Sequence, residues 1–175
     1  MTKREIDRTV QGSLIDRLTD YEPRNRTTEA RAGYAESARQ FRNGLQRDLE
    51  WLLNTRKIPV PAPDDLDELG RSVYHYGLPD LTSMSRDSRE AREQLRHRVE
   101  DVIALFEPRL KDVNITIVEV EGESHRRELR FHVEGTLVMD PTPERVVFDT
   151  VLHFASGEYE VGSAGGNGAG AVRGA

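Results

Sequence analysis

The sequence predicts an α+β domain in which an antiparallel-rich mixed sheet packs against two main helices. Three observations carry that reading. Apolar residues recur at helical spacing in residues 37–54 and 87–106. From Val113 the spacing changes to alternation, as in half-buried strands. The breaks between the alternating runs are short and contain Gly or Pro, which favours antiparallel neighbours. Helices must then cover at least one sheet face.

In chain order, residues 1–36 read as an N-terminal arm. Leu14, Ile15 and Leu18 fit a turn or two of amphipathic helix starting near Gly12 or Ser13, and residues 20–32 read as a polar loop. The body spans residues 37–161. In its first helix Ala38, Phe41, Leu45, Leu49 and Leu52 form one stripe, Ser37 is the expected N-cap, and Arg42, Arg47, Asp48 and Glu50 face away. Trp51, the single tryptophan, lies beside the stripe. A boundary residue closing the core is favoured there over an interface anchor.

Pro59, Pro61 and Pro63 make a stiff, extended connector. Residues 64–71 fit a short helix with Leu66 and Leu69 inward. Val73, Tyr74, Tyr76, Leu78 and Leu81 then crowd an irregular segment that must pack against something. The second long helix carries Ala91, Leu95, Val99, Val102, Ile103 and Phe106 inward, with Ser85 or Asp87 as its cap, and Pro108 ends it.

The strand runs place Val113, Ile115 and Ile117 on one face, then Leu129, Phe131, Val133 and Leu137, then Val146, Phe148, Thr150, Leu152 and Phe154. Ser156-Gly157 is a tight turn before Tyr159 and Val161. Residues 162–175 read as a Gly-rich flexible tail.

With no cysteine, thiol chemistry, Cys-based metal sites and disulfides are excluded. A formal net charge of -6 is opposite to that of a protein gripping phosphate backbones. The first residues show no signal peptide and no run is long enough to span a bilayer. There is no HExxH, GxSxG or Walker loop, and the irregular tail glycines do not form a phosphate cradle. By number alone His132 and His153 fall opposite each other across strands, but a polar sheet face is the better reading than a metal site. Glu107 is the first candidate acid for glycoside hydrolysis, with Asp112 and Glu128 as companions by number alone. No catalytic, cofactor-binding or metal-binding residue is assigned.

Glu107-Pro108-Arg109 stands where helix gives way to sheet. A carboxylate at a helix C-terminus is unfavourable, and Arg109 can offset it or pair with another chain. From spacing alone a solvent-exposed connector is slightly favoured.

Several segments, in order, resemble a known family. They are Ser13-Leu14-Ile15-Asp16-Arg17-Leu18, the run from Arg47 through Trp51 to Arg56, and Ser72-Val73-Tyr74-His75-Tyr76-Gly77-Leu78-Pro79-Asp80. Phe106-Glu107-Pro108-Arg109-Leu110, Leu129-Arg130-Phe131, Val147-Phe148-Asp149-Thr150 and Ser156-Gly157-Glu158-Tyr159 complete the set. Over residues 12–161 the chain is similar to the TssE family of type VI secretion baseplate subunits, grouped with the often lysozyme-labelled baseplate-wedge proteins of contractile phage tails.

The resemblance implies a baseplate-wedge-like fold and a non-enzymatic assembly role without a cofactor. It implies a cytoplasmic baseplate docked at the inner membrane, with wedge partners TssF, TssG and TssK and sheath partners TssB and TssC. Glu107, Pro108 and Arg109 become the family's docking signature, with Trp51, Asp149 and Tyr159 as further interface candidates. The final strands become candidates for pairing with a sheath strand. A peptidoglycan-hydrolysing enzyme and a small regulatory adaptor are the alternatives.

Overall fold

The computed structural model describes residues 10–19, 33–63, 65–80, 88–118 and 127–163. The helices are α1 (Leu14–Leu18), α2 (Tyr34–Asn54) and α3 (Arg89–Phe106). The strands are β1 (Leu110–Val118), β2 (Glu128–Leu137), β3 (Glu144–His153) and β4 (Glu158–Ser163). They form one sheet in the order β1-β2-β3-β4, antiparallel at each junction. The expected mixed character is limited, among the described residues, to one parallel bridge outside that sheet, Arg56 with Leu78.

The apolar stripes become the core. Leu45, Leu49 and Leu52 of α2 and Leu95, Val99 and Ile103 of α3 pack against Leu129, Phe131, Val133, Val146, Phe148 and Leu152 of the sheet. Burying each such side chain contributes about 1.5–3 kcal/mol. The buried strand positions alternate along β2 and β3, as the sequence requires. In β1 the inward residues are Leu110 and Ile115, an odd spacing that a flat strand cannot accommodate. A register shift between Lys111 and Asn114, with Asp112 at φ 53, absorbs the extra residue. The strand therefore starts three positions before Val113.

Several boundaries differ from expectation. Helix α2 begins at Tyr34 with Gly33 as its cap. Ser37 is a buried first-turn residue, not the N-cap: its hydroxyl donates to Tyr34 O at 2.9 Å and accepts from Val10 N–H at 3.1 Å, tying the arm down. Helix α3 is capped by Ser88, whose Oγ accepts from Ala91 N–H. Ser85 and Asp87 lie outside the described residues, as do the polar loop of residues 20–32, Leu81, and the tail beyond Ser163. The segment around Leu69 is a 3-10 turn, Asp67–Arg71, with Leu66 exposed rather than inward. Val73 is also exposed, while Leu78 is buried and Tyr76 packs edge-on to Phe106. Gly77 allows this segment to return, since at φ 100 a Cβ would meet Thr55 O at 2.2 Å. Trp51 is 51% exposed and does not close the core. Strand β4 continues through Gly162 and Ser163, paired with Asp149 and Phe148.

Candidate interface at the helix-to-sheet junction

Pro108 cannot donate to a further helical turn, so α3 stops and Glu107 takes φ -116, ψ 72 as its C-cap. Glu107 N–H still donates to Ile103 O, and Leu110 N–H donates to Glu107 O. The tight reversal places Arg109 beside Glu107. Arg109 Nε and Nη2 donate to Glu107 Oε2 at 3.0 and 2.7 Å, and Nη2 also reaches Asp48 Oδ2 of α2 at 2.7 Å. The guanidinium lies 5.8 Å from the Phe41 ring. Glu107 is 6% exposed, so the junction is not the solvent-exposed connector that spacing alone favours.

The pairing continues across α2. Arg47 Nη2 donates to Asp48 Oδ1 at 2.7 Å and to Asp16 Oδ1 of α1 at 2.8 Å. Asp16 Oδ2 accepts from Ser13 N–H and Ser13 Oγ–H, while Ser13 Oγ accepts from Asp16 N–H, closing a capping box. Five charges of alternating sign thus run Asp16, Arg47, Asp48, Arg109, Glu107, linking the arm to the end of α3. Arg47 and Asp48 point into this chain rather than away from the body. Gly44 makes room for its first member, because a Cβ there would meet Asp16 Oδ2 at 2.9 Å.

The electrostatics follow the burial. Burial pushes the Glu107 carboxyl above its ordinary value, and Arg109 only partly opposes the shift. Burial alone would lower the Arg109 guanidinium, but Glu107 and Asp48 outweigh it and hold Arg109 more firmly charged. Burial would raise Asp16, yet hydrogen bonds from Ser13 and Arg47 bring it below its ordinary value. Tyr76 is pushed up by burial and by the nearby Glu107 carboxylate. Among the described residues, Arg109 Nη1 is buried without a hydrogen-bond partner.

The other candidates lie elsewhere. Trp51 stacks with Arg47, whose guanidinium carbon is 4.8 Å from the ring centroid. Asp149 sits on the open sheet face, 2.6 Å from His132 Nδ1. His132 and His153 do not oppose one another, because His153 pairs with Glu128 in the β2–β3 register. Tyr159 is buried edge-on to Phe131, and burial pushes its hydroxyl pKa up. Its backbone N–H donates to Asn54 Oδ1 and its carbonyl accepts from Asn54 Nδ2, both at 2.8 Å. Gln46 Nε2 caps Val161 O in the same way. The outer edge of β4 is therefore partly closed by α2, contrary to the open edge that strand pairing there presupposes.

Asp112 is at the β1 bulge, and Glu128, bound to Arg130, is at the far end of β2, so neither joins Glu107. Among the described residues no group of three or more His, Asp or Glu is arranged to hold a metal ion, and no helix is long and apolar enough to cross a membrane. Reading the sequence missed the roles of Asp16, Gly44, Arg47 and Asp48. A glycine in mid-helix, one turn before adjacent opposite charges, was the available signal.

Neither a curated protein nor a solved structure matches the chain. The family model for baseplate wedge protein gp25 matches residues 39–142, which contain α3, β1, β2, Glu107-Pro108-Arg109 and most of α2. With its two helices on an antiparallel sheet and that junction inside the match, the chain belongs to the baseplate wedge protein gp25 family, whose members are non-catalytic structural proteins of the TssE and baseplate-wedge kind.

Proposed function

We propose that this chain joins the wedge of a type VI secretion baseplate to its contractile sheath, in a cytoplasmic assembly docked at the inner membrane. Its wedge partners are TssF, TssG and TssK, and its sheath partners TssB and TssC. The observation carrying this reading is the pinned junction: Glu107 and Asp48 hold Arg109 in one geometry before any partner arrives. Preorganisation of this kind lowers the ordering penalty of association. Pro108 is exposed at the tip of the reversal and presents the contact, while Glu107 and Arg109 fix its shape. Trp51 and Asp149 are accessible for further contacts, and Tyr159 acts from inside by seating β4.

Sheath engagement by strand addition at β4 requires a strand that displaces Asn54 and Gln46 from Tyr159 and Val161. The test is reconstitution of the purified chain with TssF, TssG and TssK, followed by addition of TssB and TssC. Wild type is expected to co-elute with the wedge and to seed sheath. Arg109→Lys, which keeps the charge and loses the planar fork, is expected to bind the wedge about tenfold more weakly or worse. Absence of co-elution by the wild type, or release of soluble fragments from peptidoglycan, would overturn the reading.

A further inference from the structure

Helix α1 is docked by its charged side. Its five residues include no buried one, and Asp16 is the residue fastened to the body, through Arg47 and against Gly44. At about 100° per residue, Leu14, Ile15 and Leu18 fall on an arc turned away from Asp16. They are 69%, 54% and 76% exposed. An amphipathic helix ordinarily buries its apolar arc, and one this short does not hold its shape unaided. Here the capping box and the Arg47 contact hold it instead, so three large apolar side chains are kept ordered in solvent. Trp51, on the other side of Arg47, is a separate exposed apolar side chain.

Charge narrows the occupant. Arg17 borders the apolar arc beside Leu14, is exposed, and forms no ion pair among the described residues. The acid of α1, Asp16, is already committed to Arg47. The backbone of α1 leaves no strand edge to extend, so recognition must come through side chains.

We propose that α1 is a preformed docking ridge for an acidic amphipathic helix of a neighbouring baseplate subunit. Leu14, Ile15 and Leu18 are its apolar contacts and Arg17 is its charge selector. The proposal rests on the baseplate reading above and adds a second contact, on the arm rather than at the Pro108 tip.

Because the chain has no cysteine, an introduced thiol is unique. Leu18→Cys and the control Arg39→Cys, at a site also exposed, are labelled with a benzophenone maleimide and irradiated in the reconstituted TssF–TssG–TssK wedge. The expected adduct joins Leu18→Cys, but not Arg39→Cys, to a helical segment of a wedge subunit bearing apolar residues and acids. In parallel, Leu14→Ser/Leu18→Ser and Arg17→Glu are each expected to weaken wedge binding at least about tenfold. Their urea midpoints should match the wild type, since α1 buries no side chain. Unchanged wedge binding by both variants overturns the proposal. So does an adduct with a second copy of this chain, with lipid, or with a segment lacking acids. If the wild type itself does not join the wedge, the baseplate reading falls and takes this proposal with it. If the wild type joins and both variants join equally well, this proposal alone falls.

Discussion

Arg109 is a residue whose fold role and binding role coincide. It neutralises Glu107, which is buried, and bridges to Asp48 on another helix. Removing one partner of a buried pair leaves an uncompensated charge, typically costing about 3–5 kcal/mol. Arg109→Ala is therefore expected to lower the unfolding free energy of the isolated chain by roughly that amount, read from urea denaturation. A loss below about 1 kcal/mol would mean that water solvates the junction freely. A residue that served docking alone would show an assembly defect without a fold defect. The internal pairing now predicts both together. Glu107 gives a second test, through pH. Its folded pKa is raised above the ordinary 4.5, so the native state holds its proton more tightly than the unfolded chain does. Its contribution to stability thus falls as pH rises from about 4.5 through the raised value, then levels off. Asp16 runs oppositely: its folded pKa lies below 3.8, so its stabilisation is present above that value and is lost as pH falls through the folded pKa. Urea midpoints of wild type and Glu107→Gln across pH 4–8 should show a difference, wild type minus variant, that declines with rising pH. A rising difference would reverse the assigned cause.

At the scale of elements, α1 and α2 are joined by one close approach. Gly44→Ala should favour helix α2 by up to about 1 kcal/mol on propensity alone. The added methyl, however, would press on the Asp16 carboxylate, which Ser13 and Arg47 hold in place. The expected outcome is faster amide exchange across α1, a changed Trp51 emission as Arg47 shifts, and no loss of core stability. Unaltered exchange in α1 would show that the carboxylate yields without releasing the helix. Elements with strong periodicity were legible in the sequence. Leu45, Leu49 and Leu52, and the alternating run from Leu129 to Leu137, all lie where their spacing requires. What was not legible depended on partners distant in the chain. Ser37 reads as a cap until Val10 is seen donating to it. Asp48 reads as an outward charge until Arg109, 61 positions away, folds back onto it. The β1 bulge was hidden because Leu110 and Val113 have the wrong parity for one flat strand. Of the site, Glu107-Pro108-Arg109 was visible as a local break in periodicity, whereas the five-charge chain exists only in tertiary structure.

For the whole molecule, the last described strand, β4, ends at Ser163. A chain ending at residue 163 should keep the wild-type thermal midpoint, because the remaining residues are mostly small and bring little apolar area. A chain ending at residue 157 loses β4, with Tyr159 and Val161 from the core. It should populate no cooperative thermal transition by circular dichroism. A sharp transition in the shorter chain would demote β4 to an accessory strand. The same comparison bears on how the protein is made. Asn54 closes on Tyr159 across 105 positions, and Gln46 on Val161 across 115. Strands β1 to β4 pair as sequence neighbours and can zip progressively, but α2 must wait for Tyr159 and Val161 before its carboxamides find their partners. Contacts this remote in sequence are slow to form. During synthesis, the first long helix therefore emerges from the ribosome well before the strand that seats it, leaving Leu49 and Leu52 for chaperones to shield until β4 has emerged.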